Sequence, residues 1–293
     1  MNQNIYRSMS RGYMFLLLPG LILLGFFYVY PLLNGVYMSM TNWDGVSRTK
    51  EFIGLSNYIN IFSDARFLNS LGFTFKYAFV STILSNIIAI SVAMALVSKI
   101  KFQNFFRGLY FFPAVLSMLI IGFIWKQIYF RFIPYLGDRL NIEVLQTNLL
   151  GNQDTVFWAL VIVTVWQASA ILIIIYMAGL QTIPQEVYES AEIDGASGLK
   201  RFFTITLPLI VPSITICLIL AMKQHLMVYD YIVAMTGGGP GFATESVTLL
   251  IYNLGFLNNR FGYGTAAALM LFLIIVIISF IQIYFLRKKE VQL

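Results

Sequence analysis

Gln185-Glu186-Val187-Tyr188-Glu189-Ser190-Ala191-Glu192-Ile193-Asp194-Gly195-Ala196-Ser197-Gly198-Leu199-Lys200-Arg201-Phe202-Phe203 is a polar island in a chain otherwise built of apolar runs. Four acids and two bases stand in it. Around it the composition reverts to hydrocarbon: 59% of the 293 residues are hydrophobic and only 11% are charged, with a mean hydropathy of +0.78. A soluble domain carries about 25% charged residues, so there is too little polar surface here to face water all round. Apolar runs of about 20 residues recur, the length a helix needs to cross roughly 30 Å of hydrocarbon. The expected fold is all-α, a polytopic membrane bundle of six transmembrane helices.

The six spans are expected at about 13–40, 70–98, 108–130, 155–180, 206–235 and 261–286. They divide the chain into an N-terminal segment 1–12, a membrane domain 13–286 holding the island at 185–203, and a basic tail 287–293. The first run is too long for a signal peptide and has no small-residue cleavage site, so it reads as a true span. Pro208 and Pro212 open the fifth span, where the first turn of a helix tolerates proline, and Pro212 is expected to bend it. Trp43 and Trp158 lie near span ends, as in an interfacial aromatic belt.

Orientation follows from Lys and Arg. Arg7, Arg11, Lys99, Lys101, Arg107, Lys200, Arg201, Arg287, Lys288 and Lys289 fall on one side. Arg48, Lys50, Arg66, Arg131, Arg139 and Arg260 fall on the other, spread over longer loops. The positive-inside bias puts both termini and the island in the cytoplasm. It also explains the net charge of +6 as membrane flanks, without a nucleic-acid partner. Cys217 is the one cysteine and His225 the one histidine, too few for a metal site of ordinary ligand count. Gly237-Gly238-Gly239-Pro240-Gly241 is not a phosphate-binding loop, because the Lys-Ser/Thr that completes one is missing and the stretch lies outside. It reads as a tight turn.

The island has its own physical logic. Pro184 can start a helix, and residues 185–191 make about two turns with acids near the N-terminus, where the dipole favours them. Asp194-Gly195 breaks it, since Gly195 takes a positive φ without steric cost. Ser197 is a candidate N-cap for a second helix over 197–204 that returns to the membrane. A merely solvated connection would not need Val187, Tyr188, Ala191, Ile193, Leu199, Phe202 and Phe203. Apolar surface beside charge points to protein docking.

The spacing Glu189-x-Ala191-x-x-Asp194-Gly195-Ala196, followed nine residues on by Ile205-x-Leu207-Pro208, resembles the EAA motif in the membrane subunits of ABC importers. Tyr28-x-Tyr30-Pro31, Gly54-Leu55-x-Asn57-Tyr58, Tyr229-Asp230-Tyr231, Met235-Thr236-Gly237-Gly238-Gly239-Pro240-Gly241-x-x-Thr244-Glu245 and Phe261-Gly262-Tyr263-Gly264-x-Ala266 resemble the carbohydrate-uptake branch of that family. The likeness runs through nearly the whole chain and is to the first of the two paired maltose-type permeases. Ser190 departs from the usual Ala of the motif, a small-for-small exchange.

The resemblance implies a type I ABC importer fold in a bacterial cell membrane, with no enzymatic site and no cofactor of the chain's own. It implies a second, homologous permease as heterodimeric partner. Two cytoplasmic ABC ATPase subunits would bind and use the ATP, and an extracellular solute-binding protein would deliver a sugar or oligosaccharide. ATPase closure would draw the two loops together and switch the cavity between inward- and outward-facing. Carried over by position, Glu189 pairs with a basic group of the ATPase groove, Gly195 makes the turn, and Ala191 and Ala196 pack where larger side chains do not fit. Asp194 and Pro208 complete the coupling set.

Polar groups inside spans default to function because they are costly there. Lys76 and Lys126 sit near span ends and are expected to snorkel. Lys223 is deeper, followed by Gln224, Tyr229 and Asp230. At i and i+7, Lys223 and Asp230 share a face of a continuous helix. Gln167, Trp166 and Asn86 are candidates from neighbouring spans, and His225 reads as a packing or hydrogen-bonding residue. Carboxylate and amide groups beside an aromatic ring suit a sugar. The rival class is an ion-coupled secondary transporter using Lys223, His225 and Asp230, but the internal repeat common in such carriers is not evident.

Overall fold

The computed structural model describes residues 16–98 and 101–288. Segment 1–12, the start of the first span, Arg7, Arg11, Lys99 and Lys289 lie outside these residues. In chain order the helices are α1 (Leu16–Ser39), α2 (Ser56–Ser63), α3 (Ala65–Val97), α4 (Gln103–Val115), α5 (Met118–Leu140), α6 (Gln153–Gln181), α7 (Gln185–Ile193), α8 (Gly198–Leu209), α9 (Val211–Leu226), α10 (Asp230–Met235), α11 (Val247–Leu257) and α12 (Phe261–Arg287). No strand forms among the described residues, only an isolated bridge between Thr41 and Phe52.

Helices α1, α3, α6 and α12 are each long and apolar enough to cross a membrane unbroken. Two further crossings are available as bent pairs: α4 with α5, bent by 100°, and α8 with α9, bent by 74°. The count therefore reaches the expected six only through helices that are broken. The third span is not the continuous 108–130 read from hydropathy. It stops at Val115 after Pro113, passes through extended Leu116 and Ser117, and restarts at Met118. Proline removes a helical donor and crowds the carbonyl four residues back. The fifth span turns at Ile210, next to Pro212 as expected. It also ends early, at Leu226, and a non-helical stretch at residues 227–229 separates it from α10. The expected common face of Lys223 and Asp230 does not exist, because the helix is interrupted between them.

Prolines also explain three local widenings. The π-helical turns Gly25–Val29, Ile128–Phe132 and Phe202–Thr206 each precede a proline: Pro31, Pro134 and Pro208. The carbonyl four residues before each proline lies inside the turn. Tyr30, Ile133 and Leu207 donate instead to the carbonyls five residues back, those of Gly25, Ile128 and Phe202. The chain thus absorbs the missing N–H by widening one turn without breaking.

The chain forms two compact units, residues 1–63 with 251–270 and residues 64–250 with 271–293. In the smaller, the Asn57 amide donates to the Ser39 and Thr41 carbonyls at 2.7 and 2.9 Å, and the Tyr58 hydroxyl lies 2.7 Å from Ser39 Oγ. The Asn57 amide thus satisfies carbonyls at and just past the end of α1. In the larger, the core comes in two clusters. One gathers Tyr77, Ile121, Leu160, Val163, Tyr231 and Ile232 from α3, α5, α6 and α10. The other gathers Ala89, Ala93, Ile173, Tyr176, Cys217 and Ala221 from α3, α6 and α9. Small residues set the close crossings: a Cβ added at Gly179 of α6 would collide with the Ser213 side chain of α9, as expected for membrane helices packed through small side chains.

Candidate functional site

The polar island folds as two helices joined by a turn. Helix α7 runs to Ile193, and the backbone then makes two bonds: Ala196 N–H to the Ala191 carbonyl at 2.8 Å and Gly195 N–H to the Glu192 carbonyl at 3.1 Å. With Gly195 at φ +74°, this is a Schellman cap. The hydrophobic pair that accompanies such a cap is Ala191 and Ala196, both buried. The motif positions Ala191, Asp194, Gly195 and Ala196 therefore form one structural unit, a helix stop and reversal. Ser197 is extended before α8 but makes no side-chain capping bond. Helix α8 continues to Leu209, past the expected 204, with Pro208 half-buried near its end.

Outside that turn the knob is open. Glu189 is exposed and accepts from the Gln185 amide at 2.8 Å. Ile193, Leu199 and Phe203 are 87%, 76% and 59% exposed, amid the exposed acids Glu186, Glu189, Glu192 and Asp194. Val187 and Tyr188 turn the other way, packing on the α3–α6–α9 core cluster. One face thus fixes the knob to the membrane helices while the other offers apolar side chains ringed by carboxylates.

Within the spans, the structure separates the cavity candidates. Lys223 and Gln224 line a cavity of about 270 Å³ with Ala168, Ile171, Leu220 and Met227. Gln224, Tyr229 and Asp230 meet again around a cavity of about 160 Å³ with Tyr77, Thr164 and His225. Both open at the break between α9 and α10. A larger cavity of about 610 Å³ is lined by Trp158, Ile162, Trp166, Leu109, Phe112 and other side chains, with no carboxylate, side-chain amide or cation among them. Hydroxyl-rich ligands find few partners there. Trp166 belongs to this apolar cavity.

Gln167 and Asn86 have other work. The Gln167 amide nitrogen donates to the Pro113 and Leu116 carbonyls at 3.1 and 2.8 Å, and its oxygen accepts from the Tyr231 hydroxyl. It fastens the break between α4 and α5. Asn86 donates to the Thr82 carbonyl at 2.8 Å and accepts from the Tyr176 hydroxyl at 2.6 Å. Both residues are buried and stand in neither of the two polar cavities. The His225 ring makes one hydrogen bond, Nδ1 with the Thr82 hydroxyl at 3.0 Å, and lies edge-on to Tyr77.

Sequence reading passed over a second polar centre. Glu245, 1% exposed, receives two guanidinium bonds from Arg66 at 2.8 and 2.7 Å. The surrounding motif was legible, but its partner lies 179 residues away. Among the described residues no group of His, Cys, Asp and Glu is placed to hold a metal ion.

With this geometry in place, the chain can be set beside known proteins. Residues 85–291 match the family of binding-protein-dependent transport system inner membrane components. The multiple sugar-binding transport system permease protein MsmF of Streptococcus mutans is 40% identical over 280 residues, 96% of each chain. The probable starch degradation products transport system permease protein AmyD of Thermoanaerobacterium thermosulfurigenes is 35% identical over 96% of each. The trehalose/maltose transport system permease protein MalF of Thermococcus litoralis is 34% identical over 95% of this chain and 94% of its own. A chain of the bacterial alginate ABC transporter, crystallised with an alginate pentasaccharide-bound periplasmic protein, superposes with a TM-score of 0.84 over 98% of both chains at 18% identity. The fold is therefore that of type I ABC importer permeases. With the family model spanning most of the chain and relatives alike along nearly its whole length, the chain belongs to the family of inner-membrane components of binding-protein-dependent transport systems.

Proposed function

We propose that this permease moves a sugar or oligosaccharide across the membrane, paired with a second, homologous permease and driven by two ABC ATPase subunits docked on the α7–α8 knob. The observation that carries the docking role is the exposed face of that knob: Ile193, Leu199 and Phe203 stand in water beside four carboxylates, on a turn fixed by a Schellman cap. Apolar surface of that kind, rimmed by charge, is what a protein groove covers. Glu189 takes the role of the charge that meets a basic group in the groove. Asp194, Gly195, Ala191 and Ala196 hold the reversal, and Pro208 marks the widened turn that leads back to the membrane. ATP is bound and hydrolysed by the partner subunits, and both termini lie in the cytoplasm, on the knob's side.

The sugar is handled at the α9–α10 break. Lys223, Gln224, Tyr229 and Asp230 there offer a cation, an amide, a ring and a carboxylate around two cavities that share Gln224 and Met227 in their walls. The curated relatives named above are sugar permeases, which favours this class of substrate. An external solute-binding protein delivers it.

The test is co-purification of the assembled complex followed by uptake in proteoliposomes. Glu189→Lys is expected to release the ATPase subunits and abolish uptake, while membrane insertion and permease pairing persist. Full transport by that variant would remove the docking role. Uptake assayed with maltose, trehalose and sn-glycerol 3-phosphate identifies the substrate class. Unchanged uptake kinetics in both Gln224→Ala and Asp230→Asn would remove the cavity assignment.

A further inference from the structure

Where the outer loop after α10 runs into α11, three consecutive residues are each fastened to a different place. Glu245 is withdrawn from solvent and held by Arg66 near the start of α3, with Nε to Oε2 at 2.8 Å and a terminal nitrogen to Oε1 at 2.7 Å. Ser70, one turn on, adds a contact at 3.4 Å, and the guanidinium lies 4.6 Å over the Phe242 ring of the same loop. Ser246, buried, donates through its hydroxyl to the Val228 carbonyl at 2.8 Å and accepts from the Leu249 N–H in the first turn of α11 at 3.2 Å. Val247 N–H donates to the Thr74 hydroxyl at 3.0 Å. The loop between is braced internally: Thr244 Oγ1 donates to the Gly239 carbonyl at 2.6 Å and stands 2.9 Å from the Thr236 hydroxyl.

Val228 lies inside the break between α9 and α10, between Met227 and Tyr229. A break at membrane depth frees carbonyls that hydrocarbon cannot satisfy, and no proline or glycine stands in 227–229 to impose one. Something outside the segment must hold it open, and the Ser246 hydroxyl is the group that meets the freed carbonyl. A serine hydroxyl can do so only if its backbone is fixed. The neighbouring carboxylate does the fixing, because a buried charge stays where its partner is.

We propose that Arg66, Glu245 and Ser246 are positioning residues of the α9–α10 cavity: the ion pair anchors the outer loop on α3, and Ser246 uses that anchor to hold the helix break that aims Tyr229 and Asp230 at the substrate. None of the three touches substrate. This rests on the reading of the break as the sugar-binding wall. It assigns the bidentate geometry of Arg66 a purpose, since lysine carries the charge but not the fork.

The test uses the assembled complex, in lipid nanodiscs for exchange and in proteoliposomes for uptake, wild type against Ser246→Ala, Ser246→Thr, Arg66→Lys and Gln224→Ala. Backbone hydrogen exchange is followed at residues 226–232, and KM and maximal rate are measured for whichever of maltose, trehalose and sn-glycerol 3-phosphate the wild type takes up best. Ser246→Ala removes both hydroxyl bonds, to the Val228 carbonyl and from the Leu249 N–H; it is expected to raise exchange across the break and to raise KM about threefold to tenfold through the first of them, with maximal rate per folded complex within about twofold. Ser246→Thr, which keeps the hydroxyl, restores both. Arg66→Lys shifts both in the same direction as Ser246→Ala. Unchanged exchange at the break in Ser246→Ala overturns the proposal. So does a uniform fall in stability and maximal rate with KM intact, which marks a merely structural contact. Raised exchange with KM unmoved in Ser246→Ala and also in Gln224→Ala places the fault in the cavity reading, and the positioning role falls with it.

Discussion

Gln167→Leu separates a structural role from a substrate role at the residue where sequence and structure diverge most. Gln167 looks like a cavity amide in the sequence, but both its donors and one acceptor position are already in use. Two donors go to the Pro113 and Leu116 carbonyls, and the oxygen takes the Tyr231 hydroxyl. Leucine keeps the volume and removes the three bonds. The Pro113 carbonyl retains a second donor, the Leu116 N–H at 3.3 Å, so the full cost falls on the Leu116 carbonyl and the Tyr231 hydroxyl. A buried group left unsatisfied costs roughly 1–3 kcal/mol in soluble proteins, while interhelical bonds inside membrane proteins average roughly 0.6 kcal/mol with a maximum near 1.7. Taking the membrane scale for two groups gives about 1–3 kcal/mol. At about 2 kcal/mol the native-to-unfolded ratio falls about 30-fold, and the thermal midpoint of a chain this size falls by about 4–8 °C. The assay is thermal unfolding of the purified complex in detergent, with uptake KM measured beside it. The expected result is a lowered midpoint and an unchanged KM. Tyr231→Phe, which removes one of the three bonds, is expected to cost less than half as much. A tenfold rise in KM at an unchanged midpoint would refute the reasoning and return Gln167 to the substrate cavity.

Three other changes test neighbouring parts of the argument. Gly195→Ala places a Cβ at φ +74° with nothing within 4 Å of it, so its cost is purely conformational, about 1–2 kcal/mol; ATPase co-purification is expected to weaken with no change in permease folding. Gly179→Ala drives a methyl into Ser213 and is expected to destabilise the α6–α9 crossing by about 1–3 kcal/mol, with Ser213→Gly in the same chain recovering most of the loss in a thermal assay. Leu199→Ser combined with Ile193→Ser leaves the midpoint unchanged, since both side chains are exposed, but lowers ATPase affinity, readable by titrating the purified ATPase onto immobilised permease.

What the sequence made legible were features whose cause is local. Hydropathy gave the all-α membrane class because span length is set by the bilayer. Gly195 announced its turn because a positive φ has few other tenants, and Pro212 announced the bend at Ile210. Pro113 was an equally local signal for the break in the third span, but an apolar average over 108–130 hides one residue. Other features have distant causes. Nothing in Met227-Val228-Tyr229 signals an interrupted helix; the carbonyl it exposes is answered from Ser246. Glu245 reads as a polar residue in a glycine-rich loop until Arg66 is placed beside it. The same limit applies to Gln167 and Asn86: their burial is readable from hydropathy, but whether an amide faces a cavity or a neighbouring carbonyl depends on helices far away in sequence.

The two helix breaks are not independent of one another. Gln167 touches both sides of the problem: its nitrogen holds the Pro113 and Leu116 carbonyls at the α4–α5 break, and its oxygen holds Tyr231, on α10 just beyond the α9–α10 break. The helices that follow the two breaks also pack on each other, since a Cβ on Gly122 of α5 would stand 2.6 Å from that of Ala234 on α10. A packed contact that close transmits displacement and does not absorb it. A displacement of α10 at the α9–α10 break therefore bears on α5 at Gly122 and on the Tyr231–Gln167 bond.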